Sequence, residues 1–372
     1  MRIPLMKKLN LEELQLSQNY LFFMDKLERS NYQLQVFVET ARNKEPTDGR
    51  LVQHLLKTPA SEDGGQWDML VGLIEKYGVM PQDCFPDTWS AQASRKLGLL
   101  LDTKMREFCM RLRHLVEKNS DDETIQKERE AMMEEIYRIV SICVGTPPDT
   151  FTFEYYDKDK KYQKIGPISP INFYTQYVKP LYNMEDKVVL VNDPRPENPF
   201  SKLYTVQYLS NMENGLVQKY INQPAEVLKK LAADSIKNNE PVWFGCDVCK
   251  FLSKGKGLLD LRQHDYDLVF GTNVLKQTKA DRLVYGESLM THAMVLTALT
   301  EEEGKTLKWR VENSWGEEYG VKGYLVMTDD WFTEFVYEVV VDKKFVPPEI
   351  LDILKEEAKM LPAWDPMGML AK

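Results

Sequence analysis

With 372 residues, 43% of them hydrophobic, the chain is long enough for two or three domains of ordinary size and can fill sizeable cores. A net charge of -9 and a pI near 5.3 speak against the basic face or tail of a nucleic-acid or anionic-membrane binder, so peptides or small molecules are the expected partners. Five cysteines (Cys84, Cys109, Cys143, Cys246 and Cys249), few and odd in number, fit free thiols in a reducing compartment and a cytoplasmic location.

From Met1 to Gln15 the charged residues Arg2, Lys7, Lys8, Glu12 and Glu13 interrupt any apolar run, which argues against a secretory leader. No stretch further on approaches the ~18 apolar residues of a membrane span. Helical spacing of Phe22, Phe23, Leu27, Leu34, Phe37 and Val38 predicts a helix over 21–41. Gly64-Gly65 opens a second one, with Trp67, Leu70, Val71, Ile74 and Tyr77 on its apolar side and Gly78 placed to close it. The pattern stays helical from Trp89 to Val144: Met105, Phe108, Cys109, Leu112 and Leu115 make one stripe, and Met132, Ile136, Val140 and Cys143 another. Ser120 and Glu123 have capping-box spacing at the start of the second of these helices, and Gly145-Thr146-Pro147-Pro148 ends it.

Phe151 to Tyr156 and Tyr162 to Ile165 flank a charged turn and read as a two-stranded ribbon. A helix near Leu228 to Ile236 precedes strands predicted at 241–248, 289–299, 307–313, 323–327 and 335–341. The tail, Leu361 to Lys372, has no periodicity and is expected to be an extended arm. Helices first and strands last make a segregated α+β architecture. Four parts are expected: a helical part over 1–95, a mainly helical insertion with the ribbon over 96–238, a β-rich part over 239–345, and a C-terminal helix and arm over 346–372.

The chemistry concentrates in Thr291-His292-Ala293 and in Trp309 to Gly316, which contains Asn313-Ser314-Trp315-Gly316. An asparagine oxygen can accept a hydrogen bond from one imidazole nitrogen, so that the other takes a proton from a thiol. The strand period of two puts Trp309, Val311 and Asn313 on one face, with Asn313 at the end of a buried row, and Trp315 can cover the bond. Cys246 precedes His292 in the right order for a nucleophile but belongs to a strand, where nothing lowers a thiol pKa. With Cys249 it reads as a pair of packed thiols, since no second pair follows at zinc spacing. His54, His114 and His264 are expected at the surface, and the acidic run from Asp121 to Glu135 as a solvated helix face without metal.

These motifs resemble those of the papain-like cysteine peptidases. Leu16-Ser17-Gln18, Asp63-Gly64-Gly65 and Glu240-Pro241-Val242 are similar to further signals of that family. Longer blocks resemble its bleomycin hydrolase type: Asp48 to Val52, Gly64 to Leu70, Asn192 to Pro196 and Ala363 to Gly368. The resemblance implies a papain-like fold, a helical half plus an antiparallel β half, with a large helical insertion and an extended C-terminal arm. It implies a cysteine aminopeptidase acting on peptides and small amides, needing no cofactor and no metal, with His292 and Asn313 catalytic and Gly64 and Gly65 in the substrate groove. The arm would enter the cleft, with Lys372 meeting the substrate's amino end, and six copies would form a barrel around an inner chamber.

In that family the nucleophilic cysteine and an oxyanion glutamine precede anything matching Met1 to Pro4. The chain is therefore expected to be truncated at its N-terminus and to lack both. The alternative to an aminopeptidase is thus an inactive subunit that serves only in assembly or peptide binding.

Overall fold

The computed structural model describes residues 1–57, 59–61 and 64–371. They form two compact units, one from residues 1–185 with 208–217, the other from 186–207 with 218–371.

Three long helices dominate the first unit: Gln18–Arg42, Arg95–Glu117 and Asp122–Val144. Each presents an apolar stripe, typified by Phe37, Phe108 and Ile136, and the stripes meet in one core. Local chemistry sets the helix ends. Ser17 Oγ accepts the Tyr20 N–H and caps the first. The third is capped by Asp121, which accepts the Thr124 N–H at 2.7 Å, one residue later than the cap expected at Ser120. Helix Trp67–Tyr77 stops at Gly78, where φ is 75° and a Cβ would lie 2.2 Å from the Pro170 oxygen, so glycine is required. The ribbon is present as β1 (Phe151–Tyr156) paired antiparallel with β2 (Tyr162–Ile168). Its turn closes on the Asp157 carboxylate, which accepts the Asp159 and Lys161 N–H groups.

The second unit is built on a mixed sheet of eleven strands among the described residues. In chain order these are β3 (Lys187–Val191), β4 (Lys202–Val206), β5 (Tyr220–Asn222), β6 (Val242–Cys246), β7 (Leu252–Ser253), β8 (Leu258–Leu259), β9 (His292–Glu302), β10 (Lys305–Glu312), β11 (Tyr324–Thr328), β12 (Val336–Asp342) and β13 (Lys359–Leu361). Their spatial order is β13-β4-β5-β3-β12-β6-β9-β10-β11-β8-β7. The run β3-β12-β6-β9-β10-β11 is antiparallel throughout. Helices Ala225–Lys237 and Asp329–Phe335 cover it, bringing Leu228, Leu231, Trp331 and Phe332 against Val242, Phe244, Leu296, Trp309 and Val311.

Two expectations are corrected. Residues 186–222, assigned by sequence to a helical insertion, instead give β3, β4 and β5 to the sheet. The arm is not featureless: Lys359–Leu361 pairs in parallel with β4, and Pro366–Ala371 winds into a 3-10 helix. No helix of the described residues is long and apolar enough to cross a membrane.

Candidate active site

His292 opens β9 and Asn313 follows the last residue of β10, so the antiparallel pairing of these strands brings both to one end of the sheet. The register shifts between Arg310 and Val311, an irregularity that re-aims the strand just before Asn313. Gly320 then turns the chain toward β11 with φ 67°, and a Cβ there would lie 2.2 Å from the Tyr324 oxygen. The Asn313 N–H donates to Gly323 O at 3.1 Å, which fixes the base of the loop.

His292 Nε2 lies 2.9 Å from Asn313 Oδ1. The Ser314 N–H donates to the same oxygen at 2.8 Å. A backbone N–H can only donate, so this second bond identifies the atom as the amide oxygen. An oxygen there accepts from Nε2–H, and the neutral ring then carries its lone pair on Nδ1. Trp315 stacks on the imidazole at 4.8 Å between centroids and 30° between planes, shielding the bond from water. Lys254 Nζ in turn lies 4.8 Å over Trp315 and 4.4 Å over Tyr319. Asn313 Nδ2 is enclosed, with no hydrogen-bond partner among the described residues.

The backbone before His292 is also tied down. Thr291 N–H donates to Cys246 O at 2.9 Å, and Thr291 Oγ1 accepts from Val248 N–H at 3.2 Å. A buried chain runs from Tyr337 Oη to Ser288 Oγ (2.7 Å) and from Ser288 Oγ to Asp247 Oδ2 (2.8 Å). Burial pushes the Asp247 carboxyl up, against the opposing pull of the Ser288 hydroxyl. These residues carry no motif, and their only sequence signal is polarity within an apolar strand and its flanking turn.

Cys246 lies opposite His292 in the β6–β9 ladder, but its thiol sits in the core and donates to the His292 backbone oxygen at 3.7 Å. Burial pushes it well above its ordinary value, so it is no thiolate. Cys249 is exposed, which corrects the expectation of two packed thiols. Burial also raises Cys84 and Cys109 to about 11. His114 and His264 are exposed, whereas His54 is half-buried. Among the described residues no group of three His, Cys, Asp or Glu side chains is gathered as if to hold a metal ion.

In the first unit, the segment through Gly64 and Gly65 is held by charged side chains that sequence reading missed. Lys26 Nζ donates to Ala60 O (3.1 Å) and Ser61 O (3.3 Å), and Arg29 Nη2 donates to Gly64 O at 2.8 Å. Asp102 accepts the Ala60 and Ser61 N–H groups at 2.9 and 2.8 Å. The available signal was charge at core-facing positions of otherwise amphipathic helices. Gly65 has no left-handed φ, and a Cβ there would meet nothing nearer than Met69 Sδ at 4.0 Å. Neither conformation nor packing requires a glycine there. Asp63 and Lys372 lie outside the described residues.

A histidine that opens a strand, tied through Nε2 to an asparagine under an indole, is suited to activating a thiol for acyl transfer. The comparisons agree with that chemistry. The Peptidase C1-like family matches residues 1–368. Bleomycin hydrolase of Homo sapiens is 58% identical over 375 residues, covering 100% of this chain and 82% of that protein. Aminopeptidase C of Listeria monocytogenes is 43% identical over 363 residues, covering 98% and 80%. The crystal structure of PepW from Lactobacillus rhamnosis superposes with a TM-score of 0.95 at 43% identity, over 99% of this chain and 82% of that one. The chain belongs to the Peptidase C1-like family of papain-like cysteine peptidases and, within it, to the cysteine-type aminopeptidases.

Proposed function

We propose that His292 and Asn313 belong to the site of a cysteine aminopeptidase that removes residues from the free amino end of peptides and hydrolyses small aminoacyl amides, with an attacking thiol that is none of Cys84, Cys109 and Cys246, which burial keeps protonated. The observation that carries this reading is the bond between His292 Nε2 and Asn313 Oδ1 beneath Trp315. In it His292 Nδ1 accepts the proton of a cysteine thiol, and the thiolate adds to the scissile carbonyl. The imidazolium then gives the proton to the leaving amine, and water releases the acyl group by the same route. Asn313 holds the ring in its productive tautomer. The main chain of the substrate lies against Gly64 and Gly65, where the missing side chain at Gly65 leaves room for an extended backbone. No metal or organic cofactor enters the reaction.

The arm, whose last residue is Lys372, limits how much peptide extends on the amino side. Its support is the placement of Leu370, whose Cδ2 would lie 3.2 Å from a Cβ on Gly245, next to Cys246 and the strand of His292. Likeness to bleomycin hydrolase supports assembly as a homohexamer with inward-facing sites, and five free thiols support a cytoplasmic setting.

The test is hydrolysis of an aminoacyl coumarylamide by the purified chain beside the same chain extended upstream by a segment that carries Gln and Cys. Cleavage of the free-amine substrate by the extended form alone, sparing of its N-acetyl form, and a loss of about 10²- to 10⁴-fold in His292→Ala are expected. The raised thiols of Cys84, Cys109 and Cys246 favour a second reading, in which the chain binds peptide or assembles without turnover. Peptide binding or hexamer formation with no hydrolysis above the His292→Ala background would select that reading.

A further inference from the structure

Beyond the end of β13 the arm passes a buried ion cluster. Arg195 donates to Asp365 through Nη1 (to Oδ2, 3.1 Å) and Nη2 (to Oδ1, 2.9 Å), and to Asp193 through Nε (2.9 Å) and Nη2 (2.7 Å). The three residues are 8%, 5% and 2% exposed in the order Arg195, Asp365, Asp193. Burial alone would pull the guanidinium down; hydrogen bonds to the two carboxylates outweigh it and hold the charge in place. Neighbouring groups hold the carboxylates in turn: Asn198 Nδ2 donates to Asp193 Oδ2, Asn222 brackets the Asp193 backbone, and Met367 N–H donates to Asp365 Oδ1.

Buried ion clusters of this kind add little net stability over an apolar equivalent, because desolvation offsets attraction. Their directional bonds do fix registry. Here the registered element is short: from Pro366 to Ala371 the 3-10 helix spans about 12 Å. At its far end Leu370 packs onto the only side-chain-free position of β6. A Cβ on Gly245 would lie 3.0 Å from Met290 Sδ and 3.2 Å from Leu370 Cδ2. Gly245 is paired with Ala293, and Met290 is two residues before His292. The cluster thus anchors one end of the helix, and the glycine receives the other beside the histidine strand.

We propose that Arg195, clamped between Asp193 and Asp365, and Gly245, which receives Leu370, are positioning residues that fix how far the C-terminal arm reaches along β6 toward His292. They thereby set how many substrate residues are accepted on the amino side of the scissile bond. This second step rests on the aminopeptidase reading; the first does not.

The test uses the full chain and two variants that act at opposite ends of the helix, Asp365→Asn and Gly245→Val. One readout is release of C-terminal residues by carboxypeptidase, which needs no activity of the protein itself. The other, measured with the same upstream extension, is the ratio of kcat/KM for an N-acetylated peptide to that for the same peptide with a free amine. Both variants should speed arm release at least tenfold and raise the ratio at least tenfold, the loss on the free-amine peptide falling on KM rather than kcat. Asp365→Glu, which can still meet Arg195, should restore part of both. Unchanged release in both folded variants overturns the clamp. Faster release with an unchanged substrate ratio overturns the specificity step alone. An extended wild-type chain that cleaves neither peptide sinks the aminopeptidase reading, while the release data still decide the clamp. Should Asp365→Asn fail to fold, Gly245→Val decides alone, since it leaves the ion cluster intact.

Discussion

At the residue scale, Asn313 acts through one oxygen that accepts from both His292 Nε2 and Ser314 N–H. The backbone bond holds the amide in place, so the ring is oriented by a group that cannot swing away. Asn313→Ala should lower kcat by about 10²-fold with little change in KM, and nitrogen NMR should show the imidazole no longer held as the Nε2–H tautomer. An unaltered tautomer would remove the asparagine from this role. Asp247 makes a different prediction. Its carboxyl is raised by burial from an ordinary value of 3.8, so between that value and its folded value the native state binds more protons than the unfolded one. Its contribution is therefore fully present below 3.8 and is lost as pH climbs through the folded value. Asp247→Asn should lose less stability than the wild type when the pH is raised from about 4 to about 8, judged by urea midpoints. Parallel curves for the two proteins would show that the Ser288 hydroxyl compensates the charge in full.

At the element scale, the helix Gln18–Arg42 links cap chemistry to the glycine turn. Ser17 Oγ accepts from Tyr20 N–H and donates to Phe85 O at 2.5 Å, both within a buried site. Ser17→Ala removes a cap and orphans a carbonyl, and should cost about 1–2 kcal/mol in denaturant unfolding. Further along the same helix, Lys26 and Arg29 hold Ala60, Ser61 and Gly64. Arg29→Met should raise KM several-fold with kcat nearly kept, and amide exchange at Gly64 and Gly65 should quicken; a fall in kcat alone would contradict a role in holding the groove. The helix and the paired motif at His292 and Asn313 are legible in sequence, because each depends on neighbours within a few turns or on two adjacent strands, whereas the cap at Ser17 lies ahead of the predicted start of the helix at residue 21. Lys26 and Arg29 are not, because a charge facing a core looks like any other break in a stripe until its acceptors, about 35 residues away in the chain, are known.

At the scale of the molecule, each unit has its own core: aliphatic and aromatic helix faces in the first, the sheet and its covering helices in the second. The division is poorly marked in sequence. β3, β4 and β5 are three to five residues long, and β3 and β5 are buried along nearly their whole length, so they show neither alternation nor helical period. Chain order then hides the rest, since residues 208–217 return to the helical unit between two strands of the sheet. Separate cores make a prediction that distinguishes the units optically. Helices 18–42, 95–117 and 122–144 dominate far-ultraviolet ellipticity, whereas Trp243, Trp309, Trp315, Trp331 and Trp364 lie in the second unit against Trp67 and Trp89 in the first. Phe108 is fully buried in the helical core, and Phe108→Ala should cost about 3–5 kcal/mol there. Denaturant titration of the variant should move the loss of ellipticity to lower concentration by more than the change in tryptophan fluorescence. If the two signals shift together by the same amount, the cores unfold as one cooperative body, and a cavity in the helices would weaken the histidine–asparagine pair as directly as a cavity in the sheet.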